Sequence, residues 1–347
     1  MTIALTGSDR SDLAAEVVAR RYAHEPDLAE RHGASDRARY QDDIRQTLLF
    51  LREAVDNESY ALFSAYVAWL KVVSVGRAVD MAEVSGALET LMEVLGEKLP
   101  GPESRRVRAM LRRAIGDLDH FPAEPPGFIL ADNPLADMAR AYLDALLAGD
   151  RRTASRLVLD RVAAGLPVRQ VYLDVFQPAL RETGRLWQLN RITVAHEHFV
   201  TAATQAIMSQ LYPYVFTGES RGRSMVASCV SGDLHEVGLR MVADFFEMAG
   251  WDSHYLGANV PPADVVGTLK ERKASVLGLS VTIAAHLGQA AELIAMARDA
   301  LGGDLIILVG GFPFNTDPLL WRRLGADGMA DRADRAVDAV AAIEAER

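Results

Sequence analysis

The residues with the clearest chemical potential in this chain are Asp233, His235 and Gly238, which follow an apolar run, Met225 to Val230, that predicts a buried strand. A histidine at the carboxyl end of such a strand lies where open α/β sheets bind ligands. Its imidazole can bind a metal through one ring nitrogen, while a carboxylate two residues earlier orients the other. Gly238, near the start of a predicted helix from Glu236 to Gly250, would let a bulky planar ligand approach closely.

The spacing of these three residues, D-x-H-x-x-G, resembles the motif of the cobalamin-binding domain in corrinoid proteins. The resemblance implies that His235 is the lower ligand of the cofactor's cobalt, in place of dimethylbenzimidazole, and that the displaced nucleotide tail enters the sheet. A motif this short also recurs by chance. The alternative is a flavodoxin-like domain whose loop contains an ordinary histidine.

Two further signals stand where that family places them. Ser280 and Thr282 end a predicted third strand, and Gly310 and Gly311 end a predicted fourth strand. The resemblance implies that the hydroxyls face the nucleotide base and that the glycines leave room for the tail. Because the three signals come in the family's order, each at the carboxyl end of a predicted strand, they favour corrinoid binding over the isolated-motif alternative.

A second group of residues lies upstream, where Trp187 is followed ten residues later by Glu197 and then His198. This spacing resembles the cap of cobalamin-dependent photoreceptors of the CarH type. The resemblance implies adenosylcobalamin as the cofactor, with Trp187 against the 5′-deoxyadenosyl group and Glu197 and His198 lining its pocket. An aromatic plane packs well against adenine, and a carboxylate accepts hydrogen bonds from ribose hydroxyls. Taken singly, these residues are more often core or solvated positions.

The chain departs from the photoreceptors at Gln188. In that family a histidine follows the cap tryptophan and binds cobalt after light breaks the cobalt–carbon bond. The glutamine rules out a bis-histidine photoproduct formed from this position. The sequence leaves open whether water or another residue takes the upper site.

Helical periodicity and proline placement divide the chain into four parts. Residues 1–121 predict a helical domain, with four regular helices between residues 41 and 118; residues 122–133 are a proline-rich linker; residues 134–216 predict a four-helix bundle; and residues 224–347 alternate strands and helices. Short connections favour an up-and-down bundle, and the alternation indicates a parallel sheet covered on both faces. The predicted fold class is therefore multidomain α and α/β: a helical, globin-like domain, a cap bundle and a flavodoxin-like doubly wound sheet.

The helical domain stands where CarH-type regulators have a DNA-binding domain, and it lacks a basic recognition helix. A globin-like domain in this place resembles the photocobilins, which combine cobalamin with biliverdin. The resemblance implies a noncovalent biliverdin, since the only cysteine, Cys229, lies in a predicted buried strand. The alternative is that the aromatic residues of this domain form an ordinary helix core or a dimer interface. These residues are Phe50, Tyr60, Phe63, Tyr66 and Trp69.

Composition limits the remaining classes. The 347 residues are 50% hydrophobic and 24% charged, as in soluble globular proteins, and the formal net charge of −10 disfavours direct nucleic-acid binding. A single cysteine excludes a disulfide within the chain. No apolar run is long enough to span a bilayer, and the amino terminus lacks a basic start, so we expect a cytoplasmic protein without a membrane anchor.

These observations lead to the expectation of a light sensor that is not itself an enzyme. It would bind adenosylcobalamin, form a homo-oligomer, and pass its signal to a downstream protein that the sequence does not identify. The alternative is a corrinoid shuttle that carries methyl groups between partner methyltransferases. A third reading is a constitutive cobalamin-binding interaction module, which would bind the same cofactor without responding to light.

Overall fold

The computed structural model describes residues 7–216 and 222–347, which form two compact units whose boundary along the chain lies between Pro125 and Pro126. None of the described helices is long and apolar enough to span a membrane. Residues 1–6, which contribute to the expectation that no secretory signal is present, lie outside the described residues.

The first unit is helical, as the sequence predicts. Two helices, α1 and α2, precede the four that apolar spacing indicates. In α1 one stripe is buried, including Leu13, Ala14, Val17 and Val18. The helices are α1 (Gly7–His24), α2 (Pro26–Arg31), α3 (Ala34–Asp56), α4 (Tyr60–Gly76), α5 (Met81–Lys98) and α6 (Gly101–Asp117), followed by a 3-10 turn at Leu118–His120.

The aromatic side chains of α3 and α4 stack on one another. The ring centroids of Phe50 and Tyr66 lie 4.2 Å apart, and those of Tyr66 and Trp69 lie 5.9 Å apart. Phe63 is fully buried, and the Tyr66 hydroxyl shares a 2.8 Å hydrogen bond with Thr47 Oγ1. Phe63 and Tyr66 therefore act as core residues of this unit, whereas Trp69 extends the stack to the surface.

The second unit begins with the helical bundle predicted over residues 134–216. Its helices are α7 (Ala136–Leu147), α8 (Arg151–Ala163), α9 (Val168–Gln170), α10 (Gln177–Gln188), α11 (Val194–Gln210) and α12 (Tyr212–Val215). A π-helical turn at Val171–Phe176 joins α9 to α10. The longest helices enclose a core in which Tyr142, Tyr172 and Phe176 are fully buried.

Pro178 accounts for the π-helical turn. Proline has no amide hydrogen, and its ring clashes with the carbonyl four residues earlier, here that of Asp174. The freed Asp174 carbonyl instead accepts a 2.8 Å hydrogen bond from the Asn133 side chain. The sequence predicts one continuous helix from Val168 to Trp187; the structure keeps its direction but widens one turn.

The second unit continues with five parallel strands in the order β2-β1-β3-β4-β5, which confirms the predicted flavodoxin-like topology. The strands are β1 (Ser224–Cys229), β2 (Asp252–Gly257), β3 (Val276–Ser280), β4 (Ile306–Gly310) and β5 (Gly328–Ala330). The helices are α13 (Val237–Met248), α14 (Pro262–Arg272), α15 (Leu287–Leu301), α16 (Phe312–Thr316), α17 (Leu320–Arg323) and α18 (Ala336–Glu346). Because β1 lies between β2 and β3, the loops after β1 and β3 flank the switch point where such sheets bind ligands.

Helix α13 belongs to two hydrophobic cores at once. Val237, Met241 and Phe245, spaced four residues apart, pack into the core of the bundle. Leu239 and Phe246 pack into the core of the sheet. Burial of each such side chain is worth about 1.5–3 kcal/mol. The bundle and the sheet are therefore joined by the helix that directly follows the His235 loop.

Candidate functional site

His235 lies in the loop between β1 and α13, and Asp233 fixes its ring from one side. Asp233 Oδ1 accepts a hydrogen bond from His235 Nδ1 at 2.9 Å and another from the His235 backbone N–H at 3.1 Å. The His235 side chain is 57% exposed. Because Nδ1 is engaged, Nε2 is the nitrogen that this imidazole offers to a metal.

Asp233 is itself anchored to the loop after β3. It is buried, and its Oδ2 accepts hydrogen bonds from the backbone N–H of Thr282 at 2.5 Å and of Ile283 at 3.4 Å. Burial alone would raise the pKa of Asp233, but the hydrogen bonds from His235 and Thr282 and the nearby His286 ring hold it well below its usual range. The carboxylate is therefore ionised at neutral pH and ties His235 to the switch point.

The other predicted residues of the sheet lie along the same edge. Ser280 ends β3 opposite Gly310, which ends β4. Gly311 adopts φ +111°, and a Cβ there would collide with the Val281 carbonyl, so only glycine fits. The structure thus brings Ser280, Thr282, Gly310 and Gly311 together at the carboxyl edge of two neighbouring strands.

The surroundings of Gly238 and Cys229, at and near the motif, differ. A Cβ at Gly238 would meet no atom within 4 Å, so the missing side chain leaves open space at the start of α13. Cys229 is fully buried, and burial raises the pKa of its thiol to about 12. This thiol therefore stays protonated, as expected of a small core residue.

The candidate cap residues lie at the two sides of one short turn. Trp187 is half-buried near the end of α10, directly before Gln188, whereas Glu197 and His198 are in the first turns of α11. Glu197 Oε2 lies 2.9 Å from His198 Nδ1, and the His198 side chain is 76% exposed.

An electrostatic interaction links this cap region to the sheet. The hydrogen bond from Asp233 raises the pKa of His235, burial opposes that shift, and the Glu197 carboxylate adds to it. The structure therefore brings Glu197 of the bundle near His235 of the sheet. Trp187 and His198 lie with Glu197 in the region where α10 ends and α11 begins.

Several residues at this site escape sequence reasoning. Leu234 is 71% exposed beside His235, and Phe312 is 57% exposed after Gly311. Large exposed apolar side chains at one edge of a sheet are typical of a surface that a ligand covers. Glu236 is a further residue of the site that sequence reasoning missed, and its side chain accepts a hydrogen bond from Gln205 of α11. A single exposed Leu or Phe has no distinctive sequence pattern, so only the fold reveals the group.

The residues around His235 suit a metal ion that is already bound within a macrocycle. His235 supplies one oriented nitrogen, Gly238 leaves room beside it, and Leu234 and Phe312 offer apolar contact at the same edge. A corrin needs one axial protein ligand together with an apolar surface. With such a group in place, His235 would hold the cobalt from below, and the sheet edge at Gly310 and Gly311 would admit the nucleotide tail.

Comparison with known proteins gives two matches to B12 binding domain families. One family model matches residues 138–212, within the helical bundle, and the other matches residues 223–341, which contain the sheet. The two matches follow each other in the chain, and the first contains α11 while the second contains α13, the helix that directly follows the His235 loop.

Among similar proteins is the HTH-type transcriptional repressor CarH of Myxococcus xanthus, 29% identical over 167 residues. That alignment covers 48% of this chain and 55% of the repressor, so the chain matches about half of that relative's length. Dimethylamine corrinoid protein 3 of Methanosarcina acetivorans is 23% identical over 182 residues, which are 52% of this chain and 84% of that protein.

A solved structure, that of the Methanosarcina barkeri monomethylamine corrinoid protein, has the same fold. The alignment has a TM-score of 0.53 at 21% identity and covers 61% of this chain and 99% of that one. The chain therefore contains a helical B12-binding domain at residues 138–212 and an α/β B12-binding domain at residues 223–341, which together imply a cobalamin or corrinoid cofactor.

Proposed function

We propose that this chain is a light sensor that binds adenosylcobalamin between the bundle and the sheet, with His235 as the lower cobalt ligand. The observation on which this depends is the placement of Glu197: it lies one short turn after Trp187 and acts electrostatically on His235. This placement supports a single pocket in which Trp187 and Glu197 would contact the adenosyl group and His235 would bind cobalt.

When bound, adenosylcobalamin supplies a cobalt–carbon bond that visible light breaks. The protein's part is to hold the two faces of that group differently. His235, oriented by Asp233, would bind the cobalt, whereas Trp187 would pack against the adenosyl group and Glu197 would accept hydrogen bonds from its ribose hydroxyls. Loss of the cap contacts changes the relative stability of two arrangements of bundle and sheet.

We further propose that the output is a change in self-association or in the surface offered to a separate downstream protein, not catalysis by this chain. Biliverdin bound noncovalently in the first unit is an additional prediction. The buried stack of Phe63 and Tyr66 leaves only the more exposed aromatic positions of that unit, Trp69 among them, for such contacts.

The second candidate is a corrinoid methyl shuttle. It is favoured by the similarity to the dimethylamine corrinoid protein and by the near-complete coverage of the monomethylamine corrinoid protein fold. This function uses the same His235 site but needs no adenosyl pocket. The two functions therefore differ in whether Trp187 is needed to retain adenosylcobalamin.

The test loads the full chain with adenosylcobalamin and compares its elution volume and absorption spectrum in the dark and after illumination. We expect both to change with light. Hydroxocobalamin is the control ligand, because it has no cobalt–carbon bond and should give the same elution volume in both conditions. Parallel samples with biliverdin report whether a red-absorbing band elutes with the protein.

A variant pair makes the test specific to the cap. Trp187→Ala should weaken retention of adenosylcobalamin by about tenfold or more while changing that of methylcobalamin little, whereas Trp187→Phe keeps an aromatic plane and should remain close to the parent. Equal losses for both cofactors, together with an elution volume that light does not alter, would reject the sensor in favour of the methyl shuttle.

A further inference from the structure

The residue that follows His235 connects three separate elements. Glu236 Oε1 accepts a 2.7 Å hydrogen bond from Gln205 Nε2 on α11, and Glu236 Oε2 accepts a 3.0 Å hydrogen bond from the Ala258 backbone N–H after β2. The bundle, the β1–α13 loop and the β2–α14 loop therefore converge on one carboxylate, directly beside the candidate cobalt ligand.

The backbone around Glu236 is shaped for this arrangement. Gly257 adopts φ +80°, and a Cβ there would lie 2.9 Å from Glu236 Oε2. Tyr255 Oη lies 3.4 Å from the Glu236 carbonyl oxygen. A substitution at Gly257 would thus both strain the backbone and displace the carboxylate, so the side chain has a defined position.

Helix α11 extends this connection to the candidate adenosyl pocket. Glu197, Thr201 and Gln205 follow one another at four-residue spacing, which places them on one face of the helix. Thr201 Oγ1 donates a 3.0 Å hydrogen bond to Glu197 Oε1. The same helix face therefore contains a candidate contact to the upper group and the residue that bonds to Glu236.

We propose that Glu236 is a positioning residue that couples the position of α11 to the geometry of the His235 loop. Asp233 holds His235 to the sheet through the loop after β3, and Glu236 holds the adjacent residue to the bundle. A shift of α11 on loss of the upper group would change the second restraint and leave the first in place. The inference rests on the proposed function in taking His235 as the cobalt ligand and α11 as part of the pocket for the upper group.

Arg240 provides the matched comparison. One turn further along α13, it donates hydrogen bonds to the Gln205 carbonyl at 3.2 Å, to Ser209 Oγ at 2.8 Å and to Tyr212 Oη at 2.9 Å. Arg240 thus fastens the same helix to the same part of the bundle without adjoining the His235 loop. A loss of general cohesion should follow from either residue, whereas a change at His235 should follow only from Glu236.

The experiment measures hydrogen–deuterium exchange of residues 232–238 in the full-length protein without cofactor, for the parent and three variants. Glu236→Ala and Gln205→Ala should each raise the exchange rate of this segment by about tenfold, as expected for the loss of one well-placed restraint. Arg240→Ala should change that rate by less than about twofold, although its melting temperature falls.

A second readout uses the protein loaded with cob(II)alamin, in which the nitrogen superhyperfine splitting of the electron paramagnetic resonance spectrum reports histidine ligation. The histidine-bound fraction should fall in Glu236→Ala and Gln205→Ala and stay near the parent's in Arg240→Ala. If the parent itself shows no histidine splitting, the proposed cobalt ligand is wrong, and the exchange data still decide the coupling.

Two outcomes would overturn the coupling. An equal rise in exchange for Arg240→Ala would mean that any loosening of the bundle disturbs the loop. A rise for Glu236→Ala without one for Gln205→Ala would assign the effect to the Ala258 bond and remove the link to α11.

Discussion

Two Asp-x-His sequences occur in the second unit, and their surroundings separate a ligand site from a surface pair. In Asp252-Ser253-His254 the acid is exposed on edge strand β2 and lies 3.3 Å from the histidine. In the Asp233 pair the acid is buried and accepts two further backbone hydrogen bonds from the loop after β3. Only the second arrangement orients an exposed imidazole at the carboxyl edge of the sheet.

Asp233→Asn should therefore disrupt both the loop and the ligand. An amide group there must turn its donor toward either the Thr282 amide or the His235 ring, leaving a buried donor unpaired at a cost of about 1–3 kcal/mol. We expect a lower free energy of unfolding in urea and a smaller histidine-bound cobalamin fraction by absorption. Asp252→Asn breaks the pair on β2 and should change neither the free energy of unfolding nor the histidine-bound fraction. If Asp252→Asn lowers both as much as Asp233→Asn does, the position of the pair in the sheet does not explain the effect.

The sequence predicts single residues of the site better than their partners. Asp233, His235, Ser280, Thr282, Gly310 and Gly311 can be predicted because each lies at, or just after, the recognisable carboxyl end of an apolar strand. The bond between Gln205 and Glu236 cannot be predicted in this way, since it depends on how α11 packs on α13. Its residues are ordinary surface types with no local pattern.

At the scale of elements, α13 and the π-helical turn share a buried polar contact. Tyr172 Oη donates a 2.7 Å hydrogen bond to Asp244 Oδ2, and both side chains are buried. Burial raises the pKa of Asp244 to about 6, against opposing effects of Tyr172 and Arg240 and a reinforcing effect of Glu247. The contact therefore titrates near physiological pH.

This pKa gives Asp244 a defined effect on stability. Because its folded pKa lies above its unfolded value of about 3.9, the native state binds the proton more tightly, and the contribution of Asp244 to stability falls as pH rises from about 4 to about 6. Asp244→Asn removes this dependence. The free energy of unfolding of the variant relative to the parent should thus increase by roughly 2 kcal/mol between pH 4 and pH 7, measured in urea.

Tyr172→Phe is the variant with the opposite expectation. It deprives the ionised carboxylate of its donor, so the parent's loss of stability with rising pH should become steeper. If the Asp244→Asn and parent curves stay parallel between pH 4 and pH 7, Asp244 is not the titrating group in that range.

Element prediction succeeds where periodicity dominates and fails where one residue alters it. Strands β1, β3 and β4 follow from apolar runs, because buried parallel strands are apolar throughout, and their alternation with helices predicts a parallel sheet. The π-helical turn before Pro178 lies inside a segment with unbroken helical spacing. The wider turn depends on Asn133, whose side chain is close enough to donate a hydrogen bond to the freed Asp174 carbonyl. No local sequence pattern encodes this proximity.

At the scale of the whole molecule, the chain divides into two compact units within the proline-rich link. The first unit has six helices among its described residues, two more than apolar spacing predicts. The matches to B12-binding domains begin at residue 138 and so do not include the first unit. Only removal of the unit can separate its role from theirs.

A fragment spanning residues 126–347 should fold and bind cobalamin alone. The second unit has its own hydrophobic cores. In addition, 61% of this chain aligns with 99% of the solved monomethylamine corrinoid protein. Because α13 contributes to both cores, we expect a single cooperative thermal transition and a cobalamin dissociation constant within about threefold of the full chain's. Any red-absorbing biliverdin band of the full chain should be lost. A fragment that melts in two steps would contradict the role of α13, and one that keeps the biliverdin band would move that site to the second unit.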